Sequence, residues 1–224
     1  FFDELIDRMS ALPEVAAAGG ITFLPMDGQG AGTSYWVNDR PRPEPEDRRA
    51  ADIRNVSGDY FEAMGIALLQ GRLFDDRDRS NAPQTVVVNR SLAERYWPGE
   101  SAVGKRVVVN WVDEDPWEIV GVVEDVLIAG PSQSARESIY INYAKGAFFP
   151  WLHISVRGAV GAESLGELLR RELAAMDPEV PLGRLRMMRD VVGNSVARPR
   201  MTAALMTVFA GLATLLAAIG LYGV

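Results

Sequence analysis

The sequence predicts a mixed α and β fold, either α/β or α+β, followed by a segment suited to lipid. Short β-branched runs alternate with amphipathic helical stretches along the chain, and no internal repeat is visible, which argues against a bundle or a sandwich. The third observation is an uncharged apolar run from Met201 to Val224.

The elements follow in order. FFDELIDRMSALPEV places Phe2, Leu5, Ile6, Met9 and Leu12 on one stripe, an amphipathic helix stopped by Pro13. Val15 to Leu24 is small and β-branched and predicts a buried strand. Pro25 to Ala50 is polar and rich in Gly, Pro and charge, so most of it is expected to be a mobile loop, with a short strand at Ser34 to Asn38. Ile53 to Val56 predicts a strand. A helix then carries Tyr60, Phe61 and Met64, capped by Ser57 and ended by Gly65. Thr85 to Val88 is a strand, and Ser91 caps a helix closed by Trp97-Pro98-Gly99. Arg106 to Trp111 and Trp117 to Val123 flank an acidic turn and predict a hairpin. Ile139 to Tyr143 and His153 to Arg157 are further strands. Ala162 to Met176 is the strongest helix of the charged part, with Leu165, Leu168, Leu169, Leu173 and Met176 on one face. Asp177-Pro178 ends it, and Leu182 to Leu185 is expected to return as a strand.

Composition excludes several chemistries. The chain has 224 residues, 23 Lys and Arg against 30 Asp and Glu, and a net charge of −7, all of it before Met201. An acidic surface argues against a nucleic-acid partner. With no cysteine, neither a disulfide nor a thiolate site can form, and His153 is the only histidine. Gly99 to Lys105 fits seven positions of a phosphate-binding loop, but Arg106 stands where a hydroxyl should reach magnesium, and Val107-Val108-Val109 continues as a strand rather than a helix. Gly28-Gln29-Gly30 lacks dinucleotide spacing. Asp75, Asp76 and Asp78 read as a solvated acidic turn, lacking the rest of a calcium loop. His153 reads as an exposed strand residue. Five tryptophans (Trp36, Trp97, Trp111, Trp117 and Trp151) with Phe148-Phe149-Pro150 are candidates for a ligand groove, though aromatics more often fill cores. No catalytic set, cofactor site or metal site emerges, and the chain is expected not to be an enzyme.

A helix of 24 residues from Met201 would extend about 36 Å, enough to cross a hydrocarbon core of about 30 Å. Leu205, Met206, Phe209, Leu212, Leu215, Leu216, Ile219 and Leu221 are the residues expected in lipid, with small residues at four-residue spacing for close helix packing. Arg184, Arg186, Arg189, Arg198 and Arg200 precede the run, and the positive-inside rule alone would put them in the cytoplasm. Phe1 is not an initiator methionine, so the chain is expected to be a piece of a longer protein.

A family resemblance rests on residues in shared order. Val56-Ser-Gly-Asp-Tyr60-Phe61-Glu-Ala-Met64-Gly65-Ile66, Gly71-Arg72-Leu-Phe74, Asp78, Val86 to Gly99 and Val103-Gly104-Lys105 come first. Glu118 to Val126, Ile139-Tyr140, Val156-Arg157 and Met176-Asp177-Pro178 follow, and the tail from Phe209 to Val224 closes the series. Together they resemble MacB-type periplasmic core domains of FtsX-like ABC transporter permeases, in the branch of duplicated orphan permeases. The resemblance implies an α+β fold. Porter-like β-α-β units are expected from both chain ends (1–81 and 150–200, with membrane-proximal stalks), an inserted α/β lobe at 82–149, and the start of a transmembrane helix at 201–224. It implies a non-catalytic domain on the periplasmic side of the inner membrane, against the local arginine count, which transmits ATP-driven helix motion to substrate export or extraction. Implied partners are a cytoplasmic ABC ATPase, a second permease half or homodimer, membrane lipid, and a periplasmic protein, peptide or lipid substrate. The competing reading is an extracytoplasmic sensor for a peptide or lipid ligand. In the transmission reading, the first helix and residues 187–200 lie together, with Phe2, Leu5, Met9, Val192 and Val196 holding them side by side.

Overall fold

The computed structural model describes all residues except 28–29, 79–81, 111–114, 128–134, 147–148, 194–205, 208, 212, 215, 218–221 and 223–224. Helices are α1 (Phe2–Ser10), α2 (Tyr60–Met64), α3 (Arg90–Tyr96) and α4 (Ala162–Met176). Strands are β1 (Val15–Ile21), β2 (Ala31–Val37), β3 (Arg49–Gly58), β4 (Leu68–Gly71), β5 (Thr85–Asn89), β6 (Arg106–Val109), β7 (Pro116–Val123), β8 (Ser138–Asn142) and β9 (His153–Gly158).

The strand pairings close on themselves. β2 pairs with β6, β6 with β7, β7 with β5, β5 with β8, β8 with β3, and β3 with β2, so six strands form a ring. Each contributes an i, i+2 pair to one core: Tyr35/Val37, Ala51/Ile53, Val86/Val88, Val107/Val109, Trp117/Ile119 and Ile139/Ile141. That is the period-2 alternation of a strand with one face inward. Leu92, Ala93 and Trp97, from α3 and its C-terminal end, join the same core. A bulge on β7, where Val86 pairs with Ile119 but Val87 with Gly121, changes the phase, so Val122 lies in the inner core and Val120 in the outer one. The outer face is covered by α2 through Tyr60 and Phe61, packed on Val56, Val87, Val120 and Tyr140.

β3 carries the fold beyond the ring. Its first half pairs with β2 and its last three residues with β1, which continues to β9. On β1 and β9 sit α1 and α4, whose Leu5, Ile6, Met9, Leu169 and Leu173 form a third core with Val15 and Ala18. The β1 run of alanine and glycine lets helices approach the sheet closely. A Cβ on Gly19 would lie 2.2 Å from the backbone nitrogen of Tyr60, so no side chain fits between β1 and α2.

Several expectations change. The short strand expected at Ser34 to Asn38 is β2, which starts earlier, at Ala31, and buries Tyr35, Trp36 and Val37, while β3 begins at Arg49 rather than Ile53, inside the stretch read as loop. Polar and charged residues hid the first residues of both strands, because each strand pairs on two sides and alternation rather than mean polarity was the signal. Ser57 does not cap α2; it donates to Asp3 Oδ1 at 2.5 Å. Asn89, not Ser91, caps α3: Asn89 Oδ1 accepts from the Leu92 N–H, while Ser91 lies inside the helix and donates to Asp125. Gly65 ends α2 at φ 70°, the left-handed conformation expected of it. Residues 182–185 form no strand; they run irregularly across α4 and β9.

Gly19→Ala is expected to lower unfolding stability by about 2–3 kcal/mol, as overpacking against backbone does. Gly183→Ala, where an added Cβ meets nothing within 4 Å, is expected to change it little. Urea denaturation of both variants checks the contrast.

Candidate functional site

The candidate site is the end of the molecule where the N-terminal helix and the segment leading to the apolar run meet. Asp177, in an extended conformation, ends α4, and the chain then crosses the α4–β9 surface without regular structure until a helical turn at 188–193. Val180 and Leu182 pack on the α1–α4 core. Leu185 rests on α4 at Gly166, where a Cβ would come within 2.7 Å of Leu185 Cδ1. Val191 is buried, and it lines with Leu5 of α1 and Ile154 of β9 a cavity of about 420 Å³. Residues 182–193 thus form a strap beside α1.

One ion pair fastens the strap to the body. Arg186 donates two hydrogen bonds to Asp27, Nη1 to Oδ1 at 2.7 Å and Nη2 to Oδ2 at 2.9 Å, the bidentate geometry that makes Arg–carboxylate pairs strong. Arg186 holds the Asp27 carboxyl below its ordinary range. His153, at the start of β9, is half-buried, not exposed as its sequence position suggests. Burial lowers its pKa from 6.5, Asp27 opposes that, and Arg186 adds to it.

The residues singled out in the sequence fall as follows. Leu5 and Met9 are buried in the α1–α4 core, but Phe2 turns edge-on to Tyr143 at 5.9 Å. Val192 is exposed, so the buried member of the strap's turn is Val191, and Val196 lies outside the described residues. Of the eight residues expected in lipid, Leu205, Leu212, Leu215, Ile219 and Leu221 lie outside the described residues. Met206, Phe209 and Leu216 are helical and about two-thirds exposed. No helix among the described residues is long and apolar enough to cross a membrane.

Gly104 and Lys105 sit in a turn that enters β6, with the Gly104 N–H donating to the Ile119 carbonyl. Backbone amides spent on a β pairing leave no phosphate cradle. The acidic turn is only partly solvated. Asp78 is fully buried and accepts from both Arg72 nitrogens, from the Asp75 N–H and from Thr85. Burial pushes the Asp78 carboxyl up, but these donors outweigh it and hold the pKa below the ordinary value. Among the described residues no group of three or more carboxylate or imidazole ligands comes together. The tryptophans do not converge: Trp36 lies under Arg42 and Arg48, Trp97 donates to Asp39, and Trp151 donates to the Thr22 carbonyl beside Phe23 and Phe149. Trp117 belongs to the ring core, and Trp111 and Phe148 lie outside the described residues.

Three polar centres had no signal in the sequence. Glu137 is buried and accepts from Tyr35 and, bidentately, from Arg49, with Arg95 as a third partner. Those partners lie tens of residues away, so no local pattern announces them. Asn89 uses all four hydrogen-bonding positions, tying β5 to α3, β8 and Asp125. Arg54, 2% exposed, donates to the Phe23 carbonyl from the centre of β3.

Asp78→Ala is expected to cost about 2 kcal/mol, because Thr85 and the Asp75 N–H lose their buried acceptor while Arg72 keeps Asp75, read as a lowered urea midpoint. The folded-state pKa of His153 is depressed, so its contribution to stability is complete above about 6.5 and is lost as the pH falls below that value. Melting temperatures are therefore expected to fall between pH 7.5 and pH 5, and His153→Asn to flatten that window.

Comparison with known proteins accords with this geometry. The family model for the MacB-like periplasmic core domain matches residues 2–171. The macrolide export ATP-binding/permease protein MacB of Aggregatibacter actinomycetemcomitans is 28% identical over 133 residues, 54% of this chain and 20% of that protein. The uncharacterized ABC transporter permease YvrN of Bacillus subtilis is 27% identical over 90 residues, 40% of this chain and 20% of that protein. The chain therefore spans about a fifth of the length of these relatives. The crystal structure of the periplasmic region of MacB from Actinobacillus actinomycetemcomitans superposes with a TM-score of 0.54 at 19% identity, covering 77% of this chain and 72% of that one. The extracellular domain of the ABC-type transporter YknZ from Gram-positive bacteria gives 0.52 at 17% identity, covering 80% and 84%. With some three quarters of its length matched by the family model and the same mixed α and β fold, the chain belongs to the MacB-like periplasmic core domain family of ABC transporter permeases.

Proposed function

We propose that this chain is the non-catalytic extracytoplasmic part of a permease in the inner membrane, and that it carries ATP-driven movement of membrane helices outward to substrate export or extraction. The observation that carries the reading is the meeting of α1 with the strap, because Leu5 and Val191 line one cavity. A domain inserted between two membrane helices needs its entry and exit side by side. A small displacement of either then tilts the sheet above, as in hinge and shear transitions.

In this reading the apolar run 201–224 is the start of the second membrane helix, with Leu205, Met206, Phe209, Leu212, Leu215, Leu216, Ile219 and Leu221 in lipid. Residues 1–81 and 150–200 are assigned to the porter-like part with its stalks and 82–149 to the inserted lobe, with β2 and β3 of the first stretch reaching into the lobe to close its ring. The partners are a cytoplasmic ABC ATPase, fused or separate, and a second permease half or copy. The MacB relative is named an ATP-binding/permease protein and YvrN an ABC transporter permease, which supports an ATPase partner. The described tryptophans do not converge on a groove, which favours transmission over a ligand sensor.

These 224 residues contain no cysteine, so two labelling sites can be placed in the domain without replacing any of its own residues first. Spin labels at Asp7→Cys on α1 and Ser101→Cys in the lobe, in an assembled transporter whose cysteines elsewhere are replaced, report a distance in each nucleotide state. A shift of several ångströms between nucleotide-free and vanadate-trapped states is expected. Identical distances in a transporter that hydrolyses ATP would overturn the transmission role.

A further inference from the structure

Charge is distributed unevenly along the chain. Between residues 184 and 200 five arginines stand against one aspartate, Asp190, a local +4 that leaves −11 for the remainder of a chain of net −7. The arginines lie directly before the apolar run. The positive-inside rule disfavours such a cluster on the outer side of a membrane, where the proposed function puts it. An arginine cluster in that place needs an anionic partner there.

The strap divides its arginines between two tasks. Arg186, with its side chain 33% exposed, is held by Asp27 in a bidentate pair, which fixes the strap on the body. Arg184 and Arg189 stay exposed. Arg189 is 76% exposed and, among the described residues, its only carboxylate partner within 4 Å is its neighbour Asp190, at 3.7 Å. Between and beside them Leu185 is 43% exposed even though its Cδ1 reaches α4 at Gly166, and Val192 is 39% exposed, whereas Leu182 and Val191 on the same strap are packed away. Cationic heads interleaved with exposed aliphatic side chains are the composition of a surface lying at a headgroup boundary, where arginine stems and leucines enter and guanidiniums stay at the phosphates. Gly193 is eight residues from Met201, so even a fully extended connection keeps the strap within about 28 Å of the apolar run.

We propose that the outward face of the strap, Arg184, Leu185, Arg189 and Val192, is a docking surface for anionic phospholipid headgroups. It sets the height and tilt of the domain above the bilayer, with Asp27–Arg186 holding that surface rigid against α4 and β9. The inference rests on the reading of 201–224 as a membrane helix. Each arginine near an anionic surface contributes about a fivefold factor to the local association, an effect that salt screens.

The test uses the full chain reconstituted in vesicles. With no native cysteine, a single Leu185→Cys carries a fluorophore, and a nitroxide on lipid headgroups quenches it. Quenching is expected to be strong in vesicles containing phosphatidylglycerol and weak in pure phosphatidylcholine. It is expected to fall by about tenfold or more in apparent association when Arg184→Gln and Arg189→Gln are combined, and to weaken as salt rises. A second probe at Phe209→Cys, read with lipids brominated deep in the acyl chain, reports the membrane helix independently. If the Phe209 probe is quenched but the Leu185 probe responds equally in both lipids, or ignores the arginine substitutions, the docking surface is overturned while the span stands. If the Phe209 probe is not quenched, the span is overturned and the docking surface with it.

Discussion

The fold depends on β3 serving two sets of partners. Over ten residues it closes the six-stranded ring with β2, holds β8 in parallel on its other edge, and then passes its last residues to β1. The strand therefore leaves the ring while still bonded, and everything built on β1 and β9 hangs from that exit. Its two faces must differ accordingly. Ala51 and Ile53 enter the ring core, while Asp52 and Arg54 stand opposite, buried but polar. Burial pushes the Asp52 carboxyl up, with Arg54 opposing, so the strand carries its charge cost at the point where the two halves of the fold join.

Close backbone approach completes the junction. Gly58 at φ 58° ends β3 in a conformation unfavourable to other residues, and a Cβ there would also strike Ile6 Cγ2 at 2.5 Å. Together with Gly19 under Tyr60, this seats α2 directly on the β1 backbone and lets Ile6 of α1 reach the end of β3. Such contact is rigid, since packed interiors transmit strain rather than absorb it. The relay proposed for this domain would run along that path, from α1 through β1 and β3 into the ring.

Polar groups hold the periphery in the same way. Asn89 saturates its amide across β5, α3 and β8, Glu137 gathers Tyr35, Arg49 and Arg95, and Asp78 gathers Arg72 and Thr85. Each is a buried acceptor with several donors, the condition under which a buried polar group stabilises rather than costs. None has the geometry of a nucleophile and base. The strap, in contrast, keeps one inward ion pair and leaves its other cations out, so its chemistry points away from the fold.

The sequence by itself determined much of this protein. Helical periodicity fixed α1 and α4 to within a residue or two, because each has a stripe that must be buried on one side. The runs Thr85 to Val88 and Trp117 to Val123 were legible as strands for their β-branched content, and Arg106 followed by three valines was enough to separate a turn from a phosphate loop. The motif order from Val56 to Pro178 carried the family. Only the tertiary structure decided that β2 closes a ring, since a strand expected at Ser34 to Asn38 does not say what its edges pair with, and Arg49 looks like a loop residue until it pairs with Tyr35. It alone decided that Asp78 is buried and that Val191, not Val192, packs inward. It alone brought Arg186 to Asp27, 159 residues apart in sequence. The physical reason is common to these cases: local pattern records which residues prefer burial, whereas ion pairs and ring closure join residues that nothing in the local sequence relates.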